Sequence, residues 1–189
     1  MKDQGASPSS IMDTIHDRLG ERLDEKLIPP PAFVTMHGEI HAFDEESGTL
    51  AIRFPVLEEH LNAYGSMQGG MVAAAVDNTL HPLSMVLAPP SVTRRLQMKY
   101  SRPVTPDLEF ITVKGRFLKR RGQWLEFSAE VRDQEGVLLA RARAVHWIAD
   151  EPEVIPKSPV DRAGFHGRPH PASEGIGTGT QPGAVELAK

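Results

Sequence analysis

Between Gly69 and Leu87 the chain carries a segment that is apolar almost all the way round a helix, Gly69-Gly70-Met71-Val72-Ala73-Ala74-Ala75-Val76-Asp77-Asn78-Thr79-Leu80 and onward. Such a helix has to be covered on both sides, and a single sheet covers only one. The pattern predicts one long central helix from about Gly69 into the high eighties, with Pro82 kinking it or ending its regular part early and Pro89-Pro90 closing the stretch. In its middle stands Asp77, a carboxylate in apolar company, which costs too much to bury without a partner or a task.

The spacing within this helix points further. At about 1.5 Å and about 100° per residue, Gly70 and Asp77 lie on one face, roughly 10 Å apart. Free N–H groups at the glycine-rich start can hold a developing oxyanion. A carboxylate acting on the same carbonyl must then come from elsewhere, and an antiparallel copy of the helix from a second subunit supplies it, because a two-fold dimer pairs unlike ends. The plainer readings are an Asp77 that faces solvent, satisfied by Asn78 or Thr79, and glycines that serve close packing, a role compatible with the first.

The flanking segments give the layers. Ile11, Ile15, Leu19, Leu23 and Leu27 recur every fourth residue behind Ser10 and Asp13, so residues 10–27 read as an amphipathic helix, and Pro29-Pro30-Pro31 ends it. Segments 32–42 and 49–55 are strand-like, joined by the polar turn Asp44-Glu45-Glu46-Ser47-Gly48, and residues 56–67 form a loop into the central helix. Strands follow over about 92–101, 108–118, 123–133 and 137–148. From about residue 151 Pro, Gly, Ser and charge dominate, which reads as a flexible tail. The organisation is an N-terminal helix and Pro linker over 1–31, a domain over 32–149 and an irregular tail over 150–189. Its class is α+β, one helix against a curved antiparallel sheet.

Composition narrows the chemistry. The 189 residues contain no cysteine, so a disulfide framework, a thiolate nucleophile and cysteine-ligated zinc are excluded together. The N-terminal residues lack the apolar core of a signal peptide, and no apolar run approaches a membrane span, so a cytoplasmic protein without a membrane partner is expected. A formal charge of −4 argues against a broad nucleic-acid surface, although Arg94-Arg95 and Lys119-Arg120-Arg121 suit a local anion site. His37 and His41, read as one strand face, have no acidic partner at metal spacing, so no metal is expected. Gly65-Ser66-Met67-Gln68-Gly69 is not a serine-hydrolase elbow, because the serine is off by one position.

The run Asn62-Ala-Tyr-Gly65-Ser-Met-Gln68-Gly69-Gly70, Asp77 seven residues on, and Thr93 leading into Leu96-Gln-Met-Lys-Tyr100-Ser-Arg-Pro103 resemble, in order and spacing, the motif of the hotdog-fold thioesterase superfamily in its PaaI-like branch. Asp133-Gln-Glu-Gly136 followed by Val137-Leu-Leu-Ala is similar to that family's closing hairpin, so the resemblance spans roughly 35–148. It implies hydrolysis of an acyl-CoA thioester at the interface of a dimer or dimer of dimers, with no cofactor beyond the CoA of the substrate. Asp77 is then the general base or nucleophile, with Thr93 orienting it or its water. The Gly69 N–H polarises the carbonyl and Asn62 is a second donor; an Asx-turn is the plain alternative for Asn62. For a CoA ligand, Gly70 at the helix start and Arg94, Arg95, Arg120 and Arg121 at the mouth are the binding candidates. The acyl pocket is expected between paired helices, lined by Met67, Met71, Leu80, Leu83 and Met85.

One position departs from the pattern. The family's histidine before the two glycines is Gln68 here, which can donate a hydrogen bond but cannot carry a proton to a leaving thiolate. A non-catalytic acyl-CoA binding or sensing module is therefore the rival reading. His81, one turn after Asp77, either orients the carboxylate or packs as a core histidine.

Overall fold

The computed structural model describes residues 29–148. The expected N-terminal helix over 10–27 and the tail lie outside the described residues. In chain order the elements are α1 (Pro31–Thr35), β1 (Glu39–Asp44), β2 (Thr49–Pro55), a 3-10 turn (Glu58–His60), α2 (Gly69–Leu87), β3 (Ser91–Tyr100), β4 (Phe110–Arg121), β5 (Trp124–Arg132) and β6 (Leu138–Ile148). All six strands form one antiparallel sheet in the order β1-β2-β4-β5-β6-β3. Helix α2 links β2 to the far edge strand β3 and lies across one face of the sheet, the hotdog architecture.

Burial follows the two periodicities. On α2, Val72, Ala75, Val76, Thr79, Leu80, Leu83 and Val86 are buried, the three-and-four spacing of a helix face against a sheet. The strands supply alternate residues to the same layer: Leu50, Ile52 and Phe54 from β2, Ile111 and Val113 from β4, Leu125, Phe127, Ala129 and Val131 from β5. Helix and sheet approach closely at Gly115 of β4, where an added Cβ would lie 2.8 Å from Leu80 Cδ2.

Three expectations need correction. The segment 32–42 is not one strand, because residues 31–35 form a helical turn with Pro31 at its start, where a proline has no N–H to lose and its fixed φ suits the helix. His37, at φ 52°, turns the chain into β1 and so does not share a strand face with His41. Pro82 does not end α2, which continues to Leu87 and closes with the Ala88 N–H on Ser84 O.

Strand β3 carries a one-residue bulge. Thr93 pairs with His146 and Arg95 with Val145, leaving Arg94 as the extra residue. Thr93 thus faces the helix side together with Leu96 and Met98, which pack against the core, while Arg94 and Arg95 are exposed.

Candidate active site

Asp77 lies on the half-buried flank of α2, one turn before His81. Its Oδ1 accepts the Thr93 hydroxyl hydrogen at 2.9 Å. The same Thr93 oxygen is 3.3 Å from His146 Nε2. His146 is fully buried, packs on the Phe127 ring at 4.8 Å, and its Nδ1 has no partner. Burial holds both imidazoles below their ordinary range. For His81 the Asp77 charge partly opposes this. For His146 the neighbouring His81 adds to burial and Asp77 opposes, leaving its value pushed down to about 4. Both rings are therefore neutral near pH 7.

Asp77 and His81 open onto a cavity of about 280 Å³ whose other walls include Phe33, Ile40, Ile52 and Met85. The expected lining is corrected here. Met85 is part of the wall, but Leu80 and Leu83 point into the helix–sheet core, and Met67 borders a different recess with Gly69. The walls come from α1, β1, β2 and α2, with Phe33 supplied by the helical turn that starts at Pro31.

The start of α2 is built separately. Loop 62–66 is an Asx-turn: Asn62 Oδ1 accepts from the Tyr64 N–H at 2.8 Å and the Ser66 N–H at 3.3 Å, and its Nδ2 donates to Ser66 Oγ at 3.1 Å. Gln68 N–H is held by His60 O. The Gln68 side chain is exposed and makes no cap. The first helical bond runs from Met71 N–H to Gln68 O, so the N–H groups of Gly69 and Gly70 have no acceptor among the described residues. Tyr100 donates to Gly69 O at 2.7 Å, and nothing lies within 4 Å of a Cβ added at Gly70. Gly69 opens onto a recess bordered by Tyr100 and Arg102, distinct from the Asp77 cavity.

Arg94, Arg95 and Arg121 share one shallow recess with Trp124. Arg120 is turned away, donating from Nε to Gly122 O within its own hairpin. Among the described residues no group of His, Asp and Glu is arranged to hold a metal, and no helix is long and apolar enough to cross a membrane.

His146 carries no local sequence signal of a role, and Tyr100, although it stands in the motif before Ser-Arg-Pro103, is assigned none. The one available clue to His146 is strand phase: in Ala140, Ala142, Ala144, His146 and Ile148 it is the polar member of an inward row.

The single sheet with its central helix finds counterparts among known proteins. Residues 64–140 match the family described as the thioesterase superfamily. A thioesterase candidate related to phenylacetic acid degradation from Ralstonia eutropha JMP134 is 25% identical, with a TM-score of 0.60 over 71% of this chain and 98% of its own. The E. coli PaaI protein from the phenylacetic acid degradation operon is 15% identical, with a TM-score of 0.59 over 76% of this chain and 96% of its own. A Streptococcus mutans UA159 protein bound to acetyl CoA is 18% identical, with a TM-score of 0.55 over 59% of this chain and 88% of its own. By the matched segment residues 64–140 are similar to the thioesterase superfamily, and by fold the described residues are similar to PaaI-like hotdog proteins.

Proposed function

We propose that the chain hydrolyses an acyl-CoA thioester at a site shared by two copies, and that the acyl group is compact and apolar or aromatic. The observation that carries this reading is the division of the chemistry over two recesses. Asp77, oriented by Thr93, faces an apolar cavity, whereas the unpaired Gly69 and Gly70 N–H groups sit eight and seven residues away at the helix start, about 10–12 Å along the axis. Antiparallel pairing of α2 across a two-fold axis joins the halves into two equivalent sites.

In such a site Asp77 takes a proton from a water whose oxygen attacks the thioester carbonyl carbon. The oxyanion is held by the glycine N–H groups of the second copy, with the exposed Gln68 amide and the remaining Asn62 Nδ2 hydrogen as further donors. Collapse re-forms the carbonyl, breaks the C–S bond and releases CoA thiolate, which leaves readily without a histidine at position 68. The recess of Arg94, Arg95 and Arg121 suits the CoA phosphates. The acetyl CoA bound by the S. mutans neighbour supports the same ligand class here.

Gln68 favours one second reading, a binding or sensing protein on the same fold. Hydrolysis measured over short, long and aromatic acyl-CoAs, in the parent and in Asp77→Ala, separates the two. Turnover that falls by at least about a hundredfold in the variant, with the fold intact, supports the enzyme. Acyl-CoA bound without turnover in the parent supports the sensor.

A further inference from the structure

We infer that His146 is a positioning residue: its Nε2–H donates to Thr93 Oγ1 and commits the Thr93 hydroxyl hydrogen to Asp77 Oδ1, leaving Oδ2 as the oxygen that meets water. This deepens the proposed function and rests on it for its catalytic meaning, but the hydrogen-bond chain stands on geometry alone.

Thr93 has one hydroxyl hydrogen and two neighbours, Asp77 Oδ1 at 2.9 Å and His146 Nε2 at 3.3 Å. A carboxylate only accepts, so the hydrogen that serves Asp77 has to be Thr93's own. His146 must then supply a hydrogen at Nε2. The opposite direction, Thr93 donating to His146, would set the Thr93 and Asp77 oxygens 2.9 Å apart with no hydrogen between them. The orphaned Nδ1 agrees with this tautomer. In the Nε2–H form it is a bare lone pair, whereas the other form would leave a buried N–H with no acceptor, and an imidazolium would bury a charge as well.

The surroundings hold the ring in place. Phe127 packs against one side at 4.8 Å, Leu125 lies opposite it on β5, and Asp77 and His81 are the titratable groups that face it from α2. Asp77 Oδ2 has no partner among the described residues, and Asp77 borders the cavity. The chain His146, Thr93, Asp77 thus fixes the carboxylate by one oxygen and leaves the other for a water.

The test uses the full chain. Nitrogen-15 histidine correlation spectra of the parent at pH 7 are expected to show His146 protonated at Nε2 and bare at Nδ1; a proton at Nδ1, or on both nitrogens, overturns the inference whatever the activity. In thioester hydrolysis, His146→Leu is expected to lower kcat by about tenfold or more with KM within about twofold, because a loosened carboxylate misplaces the water. His146→Gln, which keeps an N–H near the Nε2 position, is expected to restore most of the loss. In Thr93→Val, where the relay is already cut, His146→Leu should cost little more. Equal loss in the Leu and Gln variants, or a full second loss in the Thr93→Val background, overturns the relay while leaving the thioesterase reading intact. A parent without turnover removes that reading and leaves the tautomer to decide this one.

Discussion

Tyr100 donates its hydroxyl hydrogen to the Gly69 carbonyl oxygen at 2.7 Å, and its ring lies 3.4 Å from where a Gly69 side chain would begin. A strand residue thereby fixes the first turn of α2, the turn whose N–H groups have no acceptor among the described residues. Tyr100→Phe should keep the packing and lose the tether. The expected result is a rise in KM and a fall in kcat of a few-fold each, with little change in Tm, read from steady-state kinetics and a melting curve.

Gly70 has open space around it. Gly70→Ala is expected to fold with an unchanged or slightly higher Tm, since alanine is the better helix former. Its methyl group would stand where the carbonyl is proposed to bind, so activity should drop by about tenfold or more. A stable variant with full activity would remove the helix start from the site.

Mixing two inactive proteins tests the shared site. Asp77→Ala and Gly70→Ala homodimers each have two broken sites, while a mixed dimer has one site with both defects and one with neither. Subunit exchange of equal amounts should therefore restore about a quarter of the parent activity. No recovery, with exchange confirmed by mass spectrometry, would place both halves in one chain.

The buried histidines give stability a pH dependence. His146 is lowered from 6.5 to about 4, chiefly by burial, and His81 shifts the same way. The unfolded chain therefore takes up these protons first as pH falls. Their contribution is complete above pH 6.5 and is lost as pH falls toward 4, roughly 3 kcal/mol for His146. Urea unfolding between pH 7 and pH 4 should show this slope, and His146→Leu should flatten it.

At Gly115 the fold has no slack. A Cβ there would meet Leu80 Cδ2 at 2.8 Å and Thr79 Cγ2 at 3.3 Å, and both side chains are fully buried. Gly115→Ala is expected to lower stability by about 1–3 kcal/mol through overpacking. Chemical denaturation measures it.

Long elements with a clear period were legible from sequence. The alternation Leu125, Phe127, Ala129, Val131 marks β5 without reference to anything distant, and α2 declares itself by its glycine start and apolar run. What escaped depends on other elements. Residues 31–35 follow a proline triplet that reads equally as a stop or as a start, and only the Phe33 contact with Phe54, ring centres 6.2 Å apart, shows which. In the site, Asp77 stands out because its neighbours are apolar. His146 lies 53 residues from Thr93, and strand pairing alone brings them together. The pocket walls were misread for the same cause: whether Leu80 or Met85 borders the cavity is set by the rotation of α2 on the sheet.

The bulge at Arg94 works as a phase switch between two messages written in one strand. The alternation that sends Leu96, Met98 and Tyr100 inward would, continued back without interruption, bring Arg94 and Val92 to the helix and expose Thr93. The extra residue resets the count, and Thr93 reaches Asp77 while two arginines stay outside. Pairing geometry at this one point thus determines chemical identity. Were the same residues paired without the bulge, a guanidinium would replace the hydroxyl beside the carboxylate, whereas deleting Arg94 would remove the bulge and leave Thr93 opposite His146.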